Sequence, residues 1–144
     1  MTINEIQDKI IDDFSLFDDW MGRYNLLIDL GKDLPEFNPK HRIRDYLIEG
    51  CQSKVWLYPE FDGQKIKFSA DSDALITKGI VALLVKVLSD RTPDEIISAE
   101  LYFIDRIGLR QNLSPTRANG LLSMLRQMRL YAIAYKASGT RQSI

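Results

Sequence analysis

Apolar residues recur at helical spacing in the first part of the chain. A capping box at Thr2–Glu5 predicts where a first helix begins, since the hydroxyl and the carboxylate can each accept the other residue's backbone N–H. One face of this helix is formed by Ile3, Ile6 and Ile10. Ser15 is expected to cap a second helix. The apolar stripe of that helix is Phe17, Trp20, Met21, Tyr24, Leu27 and Ile28.

The middle of the chain changes to patterns typical of strands. Residues 55–61 are rich in residues that favour a pleated surface, and residues 65–70 alternate with period two. Asp62-Gly63 between them predicts a hairpin turn. Residues 42–48 add a short candidate strand because their apolar positions form no clean helical stripe. We therefore predict a small antiparallel three-stranded sheet, with Cys51 in the loop entering its central strand.

The second half of the chain returns to helical patterns. Residues 75–88 are nearly all apolar, which predicts the most buried helix, and residues 71–73 offer capping side chains before it. A second capping box at Thr92–Glu95 and the Ser114-Pro115 pair predict two further helix starts. The last helix is expected to end before a flexible tail at residues 138–144. These elements predict one α+β domain over residues 1–144, with the small sheet packed against several helices.

Composition narrows the classes of protein that this chain can be. A 144-residue chain suits one domain, and its 45% hydrophobic and 27% charged residues argue against disorder and against a membrane protein. The longest uncharged apolar run, residues 79–85, is too short to span a bilayer. The N-terminus lacks the basic and apolar regions of a signal peptide. A single cysteine excludes an internal disulfide, so we expect a cytoplasmic protein.

Charge is distributed unevenly along the chain. Residues 1–38 carry nine acids and three bases, whereas residues 106–144 carry seven bases and no acid. This asymmetry is compatible with an electrostatic docking surface or with two solvated faces of opposite sign. The bases are not accompanied by an RNA-binding or DNA-binding motif, so nucleic acid is not an expected partner.

Cys51 is the strongest candidate in the sequence for a chemically reactive side chain. A lone cysteine is most often a small buried hydrophobe, but its thiolate is also a strong nucleophile at neutral pH. One thiol is enough for nucleophilic chemistry. A disulfide oxidoreductase usually needs two thiols, and a zinc site or cluster scaffold needs several soft ligands. With one Cys and one His, no metal is expected on a single chain, although a site bridging a dimer stays open.

A Cys–His hydrolase is one enzymatic interpretation of the sequence. It would require His41 to lie within hydrogen-bond reach of Cys51 and to activate the thiol. His41 lies in the sequence Pro39-Lys40-His41-Arg42, which predicts an exposed loop with several nearby cations. The hydrolase interpretation is therefore disfavoured.

The residues around Cys51 resemble a known signature. Gly50-Cys51-Gln52-Ser53-Lys54-Val55-Trp56 resembles the motif of the SufE family, the sulfur-acceptor proteins of iron–sulfur cluster assembly. Three further segments agree in order and spacing, and the resemblance covers about residues 5–137. These segments are Asp71-Ser72-Asp73-Ala74, Lys78-Gly79, and Leu113-Ser114-Pro115-Thr116-Arg117 leading to Gly120-Leu121.

The SufE resemblance implies a specific function. The sulfur donor would be a pyridoxal-phosphate-dependent cysteine desulfurase of the SufS type, and Cys51 would accept its sulfur as a persulfide. The acceptor would be an iron–sulfur scaffold of the SufB type. The chain would act as an accessory sulfurtransferase that stimulates the desulfurase, with no cofactor of its own, because the pyridoxal phosphate belongs to the partner. The implied fold is that of the IscU/NifU-like cluster scaffolds.

The resemblance also nominates residues around the thiol. Gly50, Gln52, Ser53, Asp73 and Arg117 are candidates for shaping the loop or contacting a partner. Simpler interpretations are ordinary turn chemistry for Gln52 and Ser53, a helix cap for Asp73 and a solvated side chain for Arg117. The family usually has Asn where this chain has Tyr46. The sequence leaves open the particular desulfurase and acceptor, the burial of Cys51, and whether the chain forms a homodimer.

Overall fold

The α+β prediction is confirmed by the structure. The computed structural model describes the backbone of residues 1–142 and the side chains of residues 1–138. Within residues 1–142 it contains seven α-helices, two 3₁₀ turns and one two-stranded antiparallel sheet. The helices are α1 (Ile3–Ser15), α2 (Trp20–Lys32), α3 (Leu75–Leu88), α4 (Pro93–Ser98), α5 (Phe103–Arg106), α6 (Leu109–Asn112) and α7 (Pro115–Gln142). The strands are β1 (Val55–Phe61) and β2 (Ile66–Ser72), and the 3₁₀ turns are Pro39–His41 and Arg44–Tyr46.

The sheet is the hairpin that the sequence predicts. β1 and β2 pair in a continuous register from Val55 opposite Ser72 to Phe61 opposite Ile66. The Asp62 carboxylate accepts the backbone N–H groups of Gln64 at 2.8 Å and of Lys65 at 2.7 Å. These bonds close the turn between the strands, so the turn of the hairpin is held by local interactions.

The predicted third strand is wrong. Within the described residues, the segment 42–48 forms the 3₁₀ turn Arg44–Tyr46 and contributes one isolated bridge, between Leu47 and Trp56. The Tyr46 and Leu47 N–H groups bond to the carbonyl groups of Ile43 and Arg44, so they are not available to a strand ladder. The likeness to an IscU/NifU-like scaffold fold stays a prediction.

Local capping signals locate several helix ends. Both predicted capping boxes are confirmed, one at Thr2–Glu5 before α1 and one at Thr92–Glu95 before α4. The prediction that Ser15 caps α2 is wrong, because Ser15 is the last residue of α1. Asp19 caps α2 instead, and its carboxylate accepts the Gly22 N–H at 2.8 Å.

Helix α3 lies at the centre of the core, as its apolar sequence predicts. It packs against α2 on one side and against β2 on the other. Helices α2 and α3 approach so closely that a Cβ at Gly79 would lie 2.1 Å from the Leu27 carbonyl oxygen. The buried residues of α3 are Thr77, Gly79, Ile80, Val81, Ala82, Leu83, Leu84, Val87 and Leu88. This packing fixes the position of the helix surface that lies beneath the cysteine loop.

Helix α7 begins at Pro115, directly after Ser114 as predicted, but it is longer than predicted. Its backbone continues through Gly139 to Gln142, so the prediction that the helix ends before residue 138 is wrong, while the flexibility of the tail stays a prediction. A single glycine inside a helix costs only about 1 kcal/mol relative to alanine, too little to stop a long helix by itself. Residues 143 and 144 lie outside the described residues.

None of the helices described between residues 1 and 142 is both long enough and apolar enough to cross a membrane. Most of the buried apolar side chains, from Ile10 in α1 to Ala132 in α7, join one core cluster. The division of the chain into a single domain stays a prediction.

Candidate functional site

The Cys51 thiol lies on a loop that faces α7. The loop runs from the Leu47 bridge to the start of β1 at Val55, and Cys51 is half-buried. The sulfur lies 3.7 Å from the Gly120 carbonyl oxygen, to which the thiol can donate a weak hydrogen bond. Within the described residues this carbonyl is the only hydrogen-bond partner of the thiol. The free thiol is therefore held against α7 and partly screened from solvent.

Gly50 allows the loop to turn next to α7. Its φ of +86° lies in the left-handed region, which residues with a Cβ rarely adopt. A Cβ at this position would also lie 2.8 Å from the Ser123 Oγ on α7. Both the turn and the close approach therefore favour glycine directly before the cysteine.

Asp73 fixes the end of the loop that leads into β1. Its carboxylate accepts the Lys54 backbone N–H at 3.0 Å, and its own N–H donates to the Lys54 carbonyl at 3.2 Å. The helix-cap interpretation of Asp73 is wrong, because α3 begins after Ala74 without any side-chain cap. Asp73 instead clamps the segment between Cys51 and β1 to the end of β2.

A small cavity lies beside the thiol. Its volume is about 10 Å³, at the lower limit of the space that holds one water molecule. The structure brings three of the predicted residues, Gln52, Ser53 and Arg117, to its lining, although Gln52 and Arg117 are exposed. The other lining residues are Cys51, Thr77, Ile80, Thr116, Gly120 and Met124. Three elements therefore surround the space beside the sulfur: the loop, α3 and α7.

Sequence reasoning missed several of these residues. Thr77, Ile80 and Met124 line the cavity, yet in the sequence they are ordinary members of helical patterns. In the sequence Gly120 stands out only as part of a segment that matches the SufE signature. The signal that could have indicated its role is a glycine in the interior of a predicted helix, since such a glycine often has a packing or functional reason.

Burial raises the pKa of the Cys51 thiol above its ordinary value. The thiolate is the reactive form, so the free protein holds less of it at neutral pH than an exposed thiol would. The Cys51 thiol of the isolated chain is therefore expected to react more slowly at neutral pH than an exposed thiol.

We expect the alkylation of Cys51 by iodoacetamide to show this lower reactivity. The alkylation rate should rise between about pH 7 and pH 10, a range that brackets the usual thiol pKa. The inflection of this rise should lie at a higher pH for the folded protein than for the chain unfolded in urea. At neutral pH the folded protein should react more slowly. Coincident profiles for the folded and unfolded chains would show that the loop does not shelter the thiol.

His41 is not placed as a base for Cys51. The prediction of an exposed loop is wrong here, since His41 is half-buried and stacks on the Tyr58 ring at 3.5 Å with an interplanar angle of 7°. Tyr46 packs edge-on against the same Tyr58 ring at 4.8 Å. His41 and Tyr46 therefore belong to one aromatic cluster on β1, and the geometry does not support a Cys–His hydrolase.

Asp71 links the segment before the cysteine loop to α3. Its carboxylate pairs with the Arg42 guanidinium at 2.8 Å and with the Lys78 ammonium at 3.3 Å. Burial by itself would raise the pKa of Asp71, but the hydrogen bonds from Arg42 and the charge of Lys78 hold it below its ordinary value. Asp71 therefore stays ionised and keeps the segment around Arg42 attached to the core.

No group of three or more His, Cys, Asp or Glu side chains is arranged to hold a metal ion in the part of the chain that the structure describes. The expectation that the chain binds no metal and no cofactor stays a prediction.

The fold and the site together define a small α+β protein that presents one half-sheltered thiol on a loop against a long helix. The family described as SufE, Fe-S metabolism associated domain, matches residues 8–132. The chain therefore belongs to the SufE family, and this family implies a role in Fe-S metabolism.

Relatives from bacteria and a plant agree with this assignment. An uncharacterized SufE-like protein of Rhizobium etli is 41% identical over 127 residues, covering 85% of this chain and 86% of the relative. The SufE-like protein 1 of Arabidopsis thaliana, named as chloroplastic/mitochondrial, is 37% identical over 145 residues. That alignment covers 98% of this chain but 39% of the plant protein.

A solved structure shares the fold. The solution structure of a hypothetical protein from Thermus thermophilus superposes with a TM-score of 0.74 at 17% sequence identity. The superposition covers 92% of this chain and 96% of the other. At this identity the likeness concerns the fold alone.

Proposed function

We propose that this protein is a sulfur acceptor and carrier that takes a persulfide sulfur onto Cys51. The observation that carries the proposal is the position of the thiol, half-buried on a constrained loop beside a cavity of atomic size. An ordinary structural cysteine would pack fully into the core. A reactive surface cysteine would lack the cavity and the two anchored loop ends.

The proposed reaction is an exchange between a thiol and a persulfide. The Cys51 thiolate attacks the outer sulfur of the donor's persulfide, a bond forms between the two sulfurs, and the donor's S–S bond breaks. The electron pair leaves with the donor thiolate, as in thiol–disulfide exchange. The outer sulfur keeps its proton and becomes the terminal atom of the Cys51 persulfide. No net oxidation or reduction takes place.

The proposed donor is a pyridoxal-phosphate-dependent cysteine desulfurase of the SufS type, whose turnover the carrier would stimulate by removing its sulfur. The pyridoxal phosphate is the partner's cofactor. The proposed downstream acceptor is an iron–sulfur scaffold of the SufB type. Support for both comes from the membership of the chain in the SufE family. A cytoplasmic location stays part of the proposal.

The loop must open for the transfer to occur. The thiol must meet the donor persulfide in line, yet its sulfur lies against the Gly120 carbonyl in the free chain. Gly50 provides a point at which the backbone can pivot, since glycine accepts a wide range of φ values. A closed loop in the free carrier would protect a persulfide from other thiols and oxidants, and an open loop on the partner would allow exchange.

The direct test uses the purified chain with a cysteine desulfurase and radiolabelled cysteine. We expect label on the chain and a mass increase of one sulfur atom located at Cys51 by peptide analysis. Absence of sulfur on Cys51, under conditions in which the desulfurase releases sulfur, would reject the proposal.

Loss of the Asp73 clamp is expected to open the loop. The variant Asp73→Ala removes the acceptor of the Lys54 N–H, at a cost of about 1 kcal/mol to stability. Hydrogen exchange around Lys54 and alkylation of Cys51 should both accelerate several-fold, about fivefold if the lost hydrogen bond is expressed wholly as loop opening. Asp45→Ala serves as the control because Asp45 is an exposed acid on the preceding turn. Equal rates in the two variants would show that the clamp does not hold the loop.

A further inference from the structure

Helix α7 meets the thiol at a position without a side chain. A Cβ built on Gly120 would lie 3.4 Å from the Cys51 sulfur and 3.8 Å from the Cys51 Cβ. These are ordinary van der Waals distances, so alanine would fit the free-thiol form without strain. Alanine is also the better helix former. Neither the helix nor the free thiol explains why glycine occupies this position.

Gly120 and Cys51 also border a small cavity of about the size of one atom. The cavity bordered by Cys51 and Gly120 measures about 10 Å³, about the minimum that holds a single water. An added sulfur would be bonded about 2.05 Å from the Cys51 sulfur. A Cβ on Gly120, 3.4 Å from the Cys51 sulfur, would take up space beside that sulfur and would compete with an atom added there.

We propose that Gly120 gives the Cys51 pocket room for one added sulfur atom and for nothing larger. This inference rests on the proposed carrier function, whose product is a persulfide. With Gly120 the loop can stay closed over the persulfide. A bulkier adduct has to push the loop away from α7.

The buried walls of the cavity limit its expansion toward the core. Ile80 is 1% exposed, Met124 is 4% exposed and Thr77 is 8% exposed, and all three line the cavity. Well-packed interiors yield little to an extra atom, since a small displacement forces neighbouring side chains out of their preferred rotamers. Between these buried walls and the cysteine loop, the space beside the sulfur therefore depends on the missing side chain at Gly120, while the outer side of the cavity is lined by exposed residues.

The first experiment compares Gly120→Ala with Asn119→Ala. Both variants place alanine in the same turn of α7, but Asn119 is exposed and does not line the cavity. Each protein is equilibrated with glutathione persulfide. In this exchange the Cys51 thiolate takes the outer sulfur with its proton and releases glutathione thiolate. The persulfide fraction on Cys51 is read from the intact mass.

We expect the equilibrium constant for loading to fall roughly tenfold in Gly120→Ala, the effect of overfilling a packed site, and to be unchanged in Asn119→Ala. Equal loading of the two variants would overturn the inference. A different result would reject the proposed function: a wild-type chain that loads from glutathione persulfide but takes no sulfur from a desulfurase. Thermal unfolding of the free-thiol forms shows whether both variants keep the fold.

The second experiment needs only the wild-type chain. Methyl methanethiosulfonate converts the Cys51 thiolate to a methyl disulfide and releases methanesulfinate, so this adduct has the added sulfur of the persulfide plus one methyl group. Hydrogen exchange across residues 49–53 should match the free thiol in the persulfide form and be roughly tenfold faster in the methyl disulfide form. Acceleration by both adducts, or by neither, would overturn the one-atom limit.

Discussion

Cys51→Ser is expected to fold normally and to accept no sulfur. A serine hydroxyl occupies nearly the same space as the thiol and can donate to the Gly120 carbonyl that accepts from Cys51. A hydroxyl without a positioned base is not a useful nucleophile at neutral pH. His41 does not supply that base, because it stacks on Tyr58 and the Cys51 thiol bonds to the Gly120 carbonyl instead. Mass analysis after incubation with a cysteine desulfurase and cysteine should show no added sulfur.

The control for this variant is His41→Ala, which removes the imidazole base and should leave sulfur transfer nearly unchanged. Desulfurase turnover should also lose its stimulation with Cys51→Ser and keep it with His41→Ala. Full stimulation by Cys51→Ser would show that the chain acts on its partner without carrying sulfur. A loss of transfer by several orders of magnitude in His41→Ala would revive the Cys–His chemistry.

Gly79→Ala is expected to produce the largest loss of stability among replacements of glycine by alanine within residues 1–138. The new Cβ would lie 2.1 Å from the Leu27 carbonyl oxygen and 2.6 Å from the Leu27 carbonyl carbon. Backbone atoms cannot move aside as a flexible side chain can, so α2 and α3 must separate. Overpacking of this severity should cost about 3 kcal/mol or more. Urea denaturation of the wild type and the variant measures the difference in the free energy of unfolding.

Gly63→Ala separates this steric effect from the general cost of replacing glycine. Gly63 has a φ of +97°, and a Cβ placed on it would have no atom within 4 Å, so its replacement adds backbone strain alone, about 1 kcal/mol. A loss in Gly79→Ala no greater than in Gly63→Ala would contradict the tight crossing. Because Thr77 and Ile80 lie within two residues of Gly79 and line the cysteine cavity, Gly79→Ala should also change the alkylation rate of Cys51.

Elements with local determinants could be predicted from the sequence. The two capping boxes and the Asp62 turn each join groups two or three residues apart, and the structure contains all three. Residues 42–48 show where this reasoning fails. Their apolar pattern permits a strand. Whether a strand forms depends on the hydrogen bonds and ion pairs that these residues make with distant parts of the chain. In the structure Arg42 pairs with Asp71, 29 positions further along the chain.

The sequence by itself determined that the chain has one thiol, in a motif resembling the SufE signature, on a loop before an aromatic strand. Only the tertiary structure decided the environment of that thiol. The contact between Cys51 and Gly120 joins residues 69 positions apart, and the Asp73 clamp on Lys54 spans 19 positions. Such contacts depend on how α7 and the hairpin pack around α3. Capping and turn rules act over a few residues and therefore could not place a cavity beside the sulfur.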